Sequence, residues 1–181
     1  IKRTILTRCN HHSTDLLCVG DEMISDSFPF EDIDGIAIKI TSKTIKQGAA
    51  DYDIGANPSA EGGDEDGGGG SAEDVFVNNV EDAFKYQEMA LNKKNFMAYL
   101  KDYLKKVKAH LEEHNPDRVA EFQAGSQKFI KEKILANFAD FQFYCGESMD
   151  PEAGMAYKFY EGENPEPFFY VFKDGLVEEK C

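Results

Sequence analysis

Tryptophan is missing from all 181 residues, and none of the four cysteines sits at C-x-x-C spacing. Without such a pair, neither a zinc ribbon nor a thioredoxin motif is written here. Cys9, Cys18, Cys145 and Cys181 are even in number and so permit disulfides. A chain of this length can bury a core without them, and reduced thiols in the cytosol are the simpler expectation. Cations are scarce, at 20 Lys and Arg against 34 Asp and Glu, for a net charge of −14. So acidic a surface repels phosphate backbones and anionic lipid, which argues against a general nucleic-acid binder. No apolar run approaches the roughly 20 residues of a membrane helix. The longest in the opening stretch, 16–19, is too short for a signal-peptide core. Aromatics other than Trp are plentiful, with 14 Phe and 8 Tyr, so phenyl rings must fill much of the core.

The segment "GIAIKIT" sets Ile36, Ile38 and Ile40 against Ala37, Lys39 and Thr41. Period two predicts a strand with one buried face, and Asp34-Gly35 before it is a hairpin signal. Residues 55–74 then run through Gly, Ser and acids with almost no apolar side chain. Such a composition does not offset its ordering entropy, which predicts a mobile acidic surface loop. No GK[ST] follows the glycines, and Asp64, Glu65 and Asp66 would repel phosphate. The oxygen ligands of an EF-hand do not fall at the required spacings either.

"DVFVNNV" returns to strand-like alternation, after which the period changes. Asn92 is a suitable N-cap, and Met97, Leu100, Leu104, Val107 and Leu111 follow at helical spacing. Pro116 forbids continuation and suits the first turn of a second helix. Val119, Phe122, Ser126, Phe129, Ile130, Ile134 and Phe138 line that helix, giving a helical hairpin over 92–138. The remainder is aromatic and alternating. Phe168, Tyr170 and Phe172 share one side, Phe169 and Val171 the other, and Lys173-Asp174-Gly175 reads as another hairpin turn. The expected class is α+β with antiparallel sheet dominating.

"HLEEH" at 110–114 is a His-x-x-Glu-His spelling, as in a group of zinc peptidases. His110 and His114 stand four apart, on one helix face. They lie at the exposed end of the hairpin, where histidine complements the negative end of the helix dipole. A zinc hydrolase also needs a third ligand and a shielded pocket, which the sequence does not supply. This reading is kept only as a remote alternative.

Two stretches are more distinctive. "IGANPSAEGGD" (54–64) and "FADFQFYCGESMDPEAGMAYKFY" (138–160) resemble the two signatures of the translationally controlled tumour protein family, TCTP. "GDEMISDSF" (20–28), "ILANF" (134–138) and "FKDGLVEEKC" (172–181) agree in order, so the resemblance spans nearly the whole chain. Residues 1–13 depart from the family's short first strand, as an atypical leader to a single domain. The resemblance implies a β-tent of mostly antiparallel strands with a projecting two-helix hairpin and a flexible acidic loop. That fold is similar to small zinc-containing chaperones of Rab GTPases, although their paired cysteines are missing here.

For function, the resemblance implies a non-enzymatic cytoplasmic protein with several partners. These are calcium, microtubules and a small GTPase of Rheb type, with links to growth and protection from apoptosis. No cofactor is implied beyond weak Ca²⁺, and an exchange-factor or nucleotide-free chaperone role on the GTPase is the alternative. Asp21 and Glu22 match the acidic position associated with GTPase contact. A carboxylate there competes for the nucleotide's magnesium or for the P-loop lysine. Gly146 in "CGES" points to a close backbone approach or a bulge beside the sheet, and Glu147 to a hydrogen bond with a neighbouring loop. Glu147, Asp150 and Glu152 are the weak calcium candidates. Lys93, Lys94, Lys101, Lys105, Lys106 and Lys108, opposed only by Asp102, form a basic face for acidic partners such as tubulin tails. The chain is expected to be mostly monomeric, with a dimer through Cys181 under oxidation.

Overall fold

The computed structural model describes residues 21–46, 75–150 and 154–176 with their side chains, and the backbone of Thr4–Arg8 and of 177–180. The expected acidic loop at 55–74, together with Cys9, Cys18, Glu152 and Cys181, lies outside the described residues. In chain order the elements are β1 (Thr4–Arg8), β2 (Glu22–Ser25), β3 (Phe30–Ile33), β4 (Ala37–Thr41), β5 (Thr44–Lys46) and β6 (Phe76–Asn78). There follow α1 (Asn79–Ala83), β7 (Gln87–Met89), α2 (Lys93–His114), α3 (Arg118–Phe129), β8 (Gln142–Cys145), β9 (Ala156–Phe159), β10 (Phe168–Phe172) and β11 (Leu176–Lys180).

Among the described residues every strand pairing is antiparallel. The strands form a three-stranded sheet ordered β11-β1-β2, a six-stranded sheet ordered β3-β4-β10-β9-β8-β7 and the pair β5-β6. The expected α+β class is therefore the observed one. β1 falls within the leader at 1–13 and is nevertheless the central strand of its sheet.

The central strands of the six-stranded sheet, β4, β10, β9 and β8, are buried on both faces. Tyr170, Phe172, Phe143, Tyr157 and Phe159 pack against α2 and α3. Phe169, Val171, Tyr144, Ile38 and Ile40 pack against β2, α1 and Tyr86. Alternating side chains on one strand thus serve two cores, and β10 divides as its sequence predicts. In β4 the expectation of a single buried face needs correction. Asp34 and Gly35 take positive φ values of 52° and 69° in the β3–β4 turn, and the Ile36 amide donates to the Ile33 carbonyl at 2.9 Å. Regular alternation starts only at Ala37, so Ile36 joins the helical side while Ile38 and Ile40 take the other.

The helices begin where side chains can cap them. Asn92 accepts the Asn95 amide at 2.8 Å and opens α2. Asn78 accepts the amides of Val80 and Glu81 and opens α1. The strand expected through Val80 accordingly ends at Asn78, because that residue's carboxamide starts a helix instead. On α2 the buried residues are Phe96, Leu100, Tyr103, Val107 and Leu111. Met97 is 42% exposed and Leu104 only partly buried, so the apolar stripe is rotated from the expected one. After α3 the backbone widens into a π-helical turn, Ile130–Ile134. Lys173–Gly175 forms a 3-10 turn, not a hairpin. The strands it joins, β10 and β11, belong to different sheets.

Candidate functional site

The start of β2 and the turn after β8 meet across 127 positions of sequence. The Ser148 backbone amide donates to Asp21 Oδ1 at 3.0 Å, and the Ser148 hydroxyl donates to Asp21 Oδ2 at 2.6 Å. Gly146 makes room for this contact: a Cβ there would stand 2.3 Å from Asp21 Oδ2. The close approach expected at Gly146 is therefore real, and the intruding group is a side chain. The loop hydrogen bond expected of Glu147 is made by its neighbour Ser148, while Glu147 itself is exposed. The Met149 amide closes the turn on the Gly146 carbonyl at 3.0 Å, and Met149 takes a φ of 53° at an exposed tip.

Asp21 and Glu22 thus differ in place. The carboxylate of Asp21 is engaged, whereas Glu22 is exposed at the first position of β2. Opposite β1, the register shifts between Leu6 and Thr7: Leu6 faces Ile24 and Thr7 faces Glu22, so Met23 is an extra residue. Such a bulge resets the alternation and re-aims the neighbouring side chain. It accounts for Met23, Ile24 and Ser25 being buried in succession. β2 is further held by the Tyr86 hydroxyl, which donates to the Met23 carbonyl.

Of the calcium candidates, Glu147 is exposed and Asp150 half-buried, while Glu152 lies outside the described residues. Among the described residues no group of three His, Cys, Asp or Glu converges for a metal ion. His110 and His114 do share a helix face: their rings stack with centroids 4.2 Å apart, and His114 Nδ1 lies 3.0 Å from the His110 carbonyl oxygen.

Lys94, Lys101, Lys105 and Lys108 succeed one another at spacings of seven, four and three, which at 3.6 residues per turn is one stripe. Lys93 lies at the helix start, and half-buried Lys106 falls about 100° round from Lys105. The stripe ends where Lys108 meets Glu112 at 3.3 Å.

Sequence reading missed a cleft of about 430 Å³ walled by Thr44, Phe76, Glu81, Lys158, Tyr160 and Pro165. Phe76 is 65% and Tyr160 51% exposed at its rim. Lys158 pairs with Glu81 at 2.6 Å and lies over the Tyr144 ring. Burial works against the ammonium, but the hydrogen bond and charge of Glu81 outweigh it and raise the Lys158 pKa.

The family model described as translationally controlled tumour protein matches residues 14–177. The chain belongs to the translationally controlled tumour protein family. A TCTP homolog of Schizosaccharomyces pombe is 44% identical over 163 residues, covering 89% of this chain and 94% of the relative. One of Saccharomyces cerevisiae is 41% identical over 161 residues, with the same coverage. Among solved structures, the translationally controlled tumor-associated protein p23fyp of S. pombe superposes with a TM-score of 0.73 at 39% identity, covering 98% of this chain and 99% of that one. The TCTP of Caenorhabditis elegans superposes at 0.63 with 25% identity and 98% coverage of both. The fold expected from the TCTP resemblance is thus the fold of this chain. None of the described helices is long and apolar enough to cross a membrane.

Proposed function

We propose that this TCTP-family chain is a non-enzymatic, multi-partner cytoplasmic protein that engages a small GTPase of Rheb type through Glu22. One observation carries the reading: at the head of β2, Asp21 is committed to Ser148 while Glu22 stands exposed beside a bulge. A fixed backbone with an outward carboxylate is preorganised for contact, because little side-chain and backbone order remains to be lost on binding. Near a bound nucleotide, that carboxylate competes for magnesium or for the P-loop lysine and favours nucleotide release. Exchange activity on the GTPase is the alternative form of the same reading. Glu22→Ala is expected to weaken the complex with a purified Rheb-type GTPase roughly tenfold. An unaltered affinity would remove the reading.

The lysine stripe on α2 supports a second contact, with acidic partners such as tubulin tails. The chain as a whole is strongly acidic, so four aligned lysines make a local field of opposite sign. Charge reversal at Lys101 and Lys105 is expected to abolish salt-sensitive microtubule binding, whereas Lys106→Glu, off the stripe, is expected to weaken it less. Membership of the TCTP family supports weak calcium association as a further part of this proposal, with Glu147, Asp150 and Glu152 as the candidate ligands. Glu147→Gln should lower calcium uptake measured by titration calorimetry.

A further inference from the structure

The contact between Asp21 and Ser148 has the geometry of a charge-controlled latch. Ser148 supplies both donors, its amide at 3.0 Å and its hydroxyl at 2.6 Å. It sits in an exposed turn closed by the Met149 amide on the Gly146 carbonyl. Among the described residues β2, which Asp21 immediately precedes, is an edge strand paired with β1. Glu147 and Asp150 lie on either side of Ser148. A serine among acids on an exposed turn is the kind of substrate that a kinase with a basic peptide groove selects by charge.

We propose that Ser148 is a phosphorylation site, and that its modification opens the latch and frees the head of β2. The donor is ATP, brought by an acid-directed serine kinase. The Ser148 Oγ–P bond forms and the bond from the γ-phosphorus to its bridging oxygen breaks. ADP leaves, and the hydroxyl proton passes to the kinase's base. The product carries a charge of about −1.5 to −2 at neutral pH on the phosphate esterified to the oxygen that had donated to Asp21. A hydrogen bond becomes a like-charge contact, and Gly146 packs close against the same Asp21 carboxylate. The carboxylate must leave. Met23 and Ile24 remain buried, so the opening is confined to the first residues of β2, where Glu22 lies. The consequence for a GTPase rests on the function proposed above, but the opening itself does not.

The test uses the full chain with an acid-directed serine kinase and magnesium-ATP. Mass spectrometry should place one phosphate on Ser148, lost in Ser148→Ala. No phosphate at that position overturns the proposal. Amide hydrogen exchange is then compared between modified and unmodified chains, with β4 as an internal reference. Exchange at 21–23 should rise about tenfold on phosphorylation while β4 stays unchanged; an unchanged rate at 21–23 overturns the proposal. The decisive variant is Asp21→Asn, whose carboxamide can donate to the phosphate. Phosphorylated Asp21→Asn should regain protection at 21–23, whereas exchange as fast as in the phosphorylated parent refutes the charge mechanism. GTPase binding is measured separately, so a silent GTPase with a working latch tells against the function proposed above, not against the switch.

Discussion

Arg118 grips Asp174 with both arms of its guanidinium, Nε donating to Oδ1 at 3.1 Å and Nη2 to Oδ2 at 3.0 Å. Nη2 also donates to the Gly35 carbonyl, and Nη1 pairs with Glu121 at 2.8 Å. One side chain thereby fastens the start of α3 to the β3–β4 turn and to the 3-10 turn that passes the chain between sheets. The Asp174 bonds, working against burial, hold the guanidinium pKa above its ordinary value. Arg118→Ala leaves the mostly buried Asp174 carboxylate without this partner. The expected cost is about 2–4 kcal/mol, read as a lower denaturant midpoint. Arg118→Lys should recover only part of it, since an ammonium cannot make the bidentate fork.

The approach of Asp21 to Gly146 predicts a coupling. Gly146→Ala puts a methyl where the carboxylate sits and is expected to cost about 1–3 kcal/mol. Asp21→Ala alone should cost about 1 kcal/mol by removing the Ser148 bonds. Together they should cost less than the sum, because the methyl then has no carboxylate to displace. Urea denaturation of the four species checks the cycle.

Adjacent residues on α2 should behave in opposite ways. Phe96 is fully buried and meets the rings of Phe143, Phe138 and Tyr157. Phe96→Ala is expected to cost about 3–5 kcal/mol through transfer and cavity terms. Met97→Ala, at an exposed position, should change stability by no more than about 0.5 kcal/mol. Thermal unfolding distinguishes the two.

Buried phenols set the alkaline limit of stability. Burial, assisted by the charges of Glu161 and Glu31, pushes Tyr170 up to about 12 from an ordinary 10.0. Burial also raises Tyr157 well above its ordinary value. In each case the folded chain favours the neutral phenol. The stabilisation is therefore complete below pH 10 and is lost as pH rises, for Tyr170 through about 12. Circular dichroism against pH should show unfolding in that range. Tyr170→Phe should make the alkaline fall shallower, because the substituted chain has one phenol fewer to ionise.

The amino-acid order by itself determined what depends on near neighbours. Asn92 as a cap, the turn at Asp34-Gly35, the helical hairpin broken near Pro116 and the two-faced alternation of β10 all follow from local backbone and side-chain chemistry, and the structure keeps them. Tertiary structure decided the rest. Phe96 and Tyr103 or Met97 and Leu104 would each continue an apolar stripe through Leu100 and Val107. The aromatic face of the sheet selected the first pair, since Phe143, Tyr157 and Phe172 offer ring contacts on that side. Asp21 with Ser148, and Arg118 with Asp174, join segments 127 and 56 residues apart. No local pattern encodes such pairs, because their partners become neighbours only after the sheets and helices have packed.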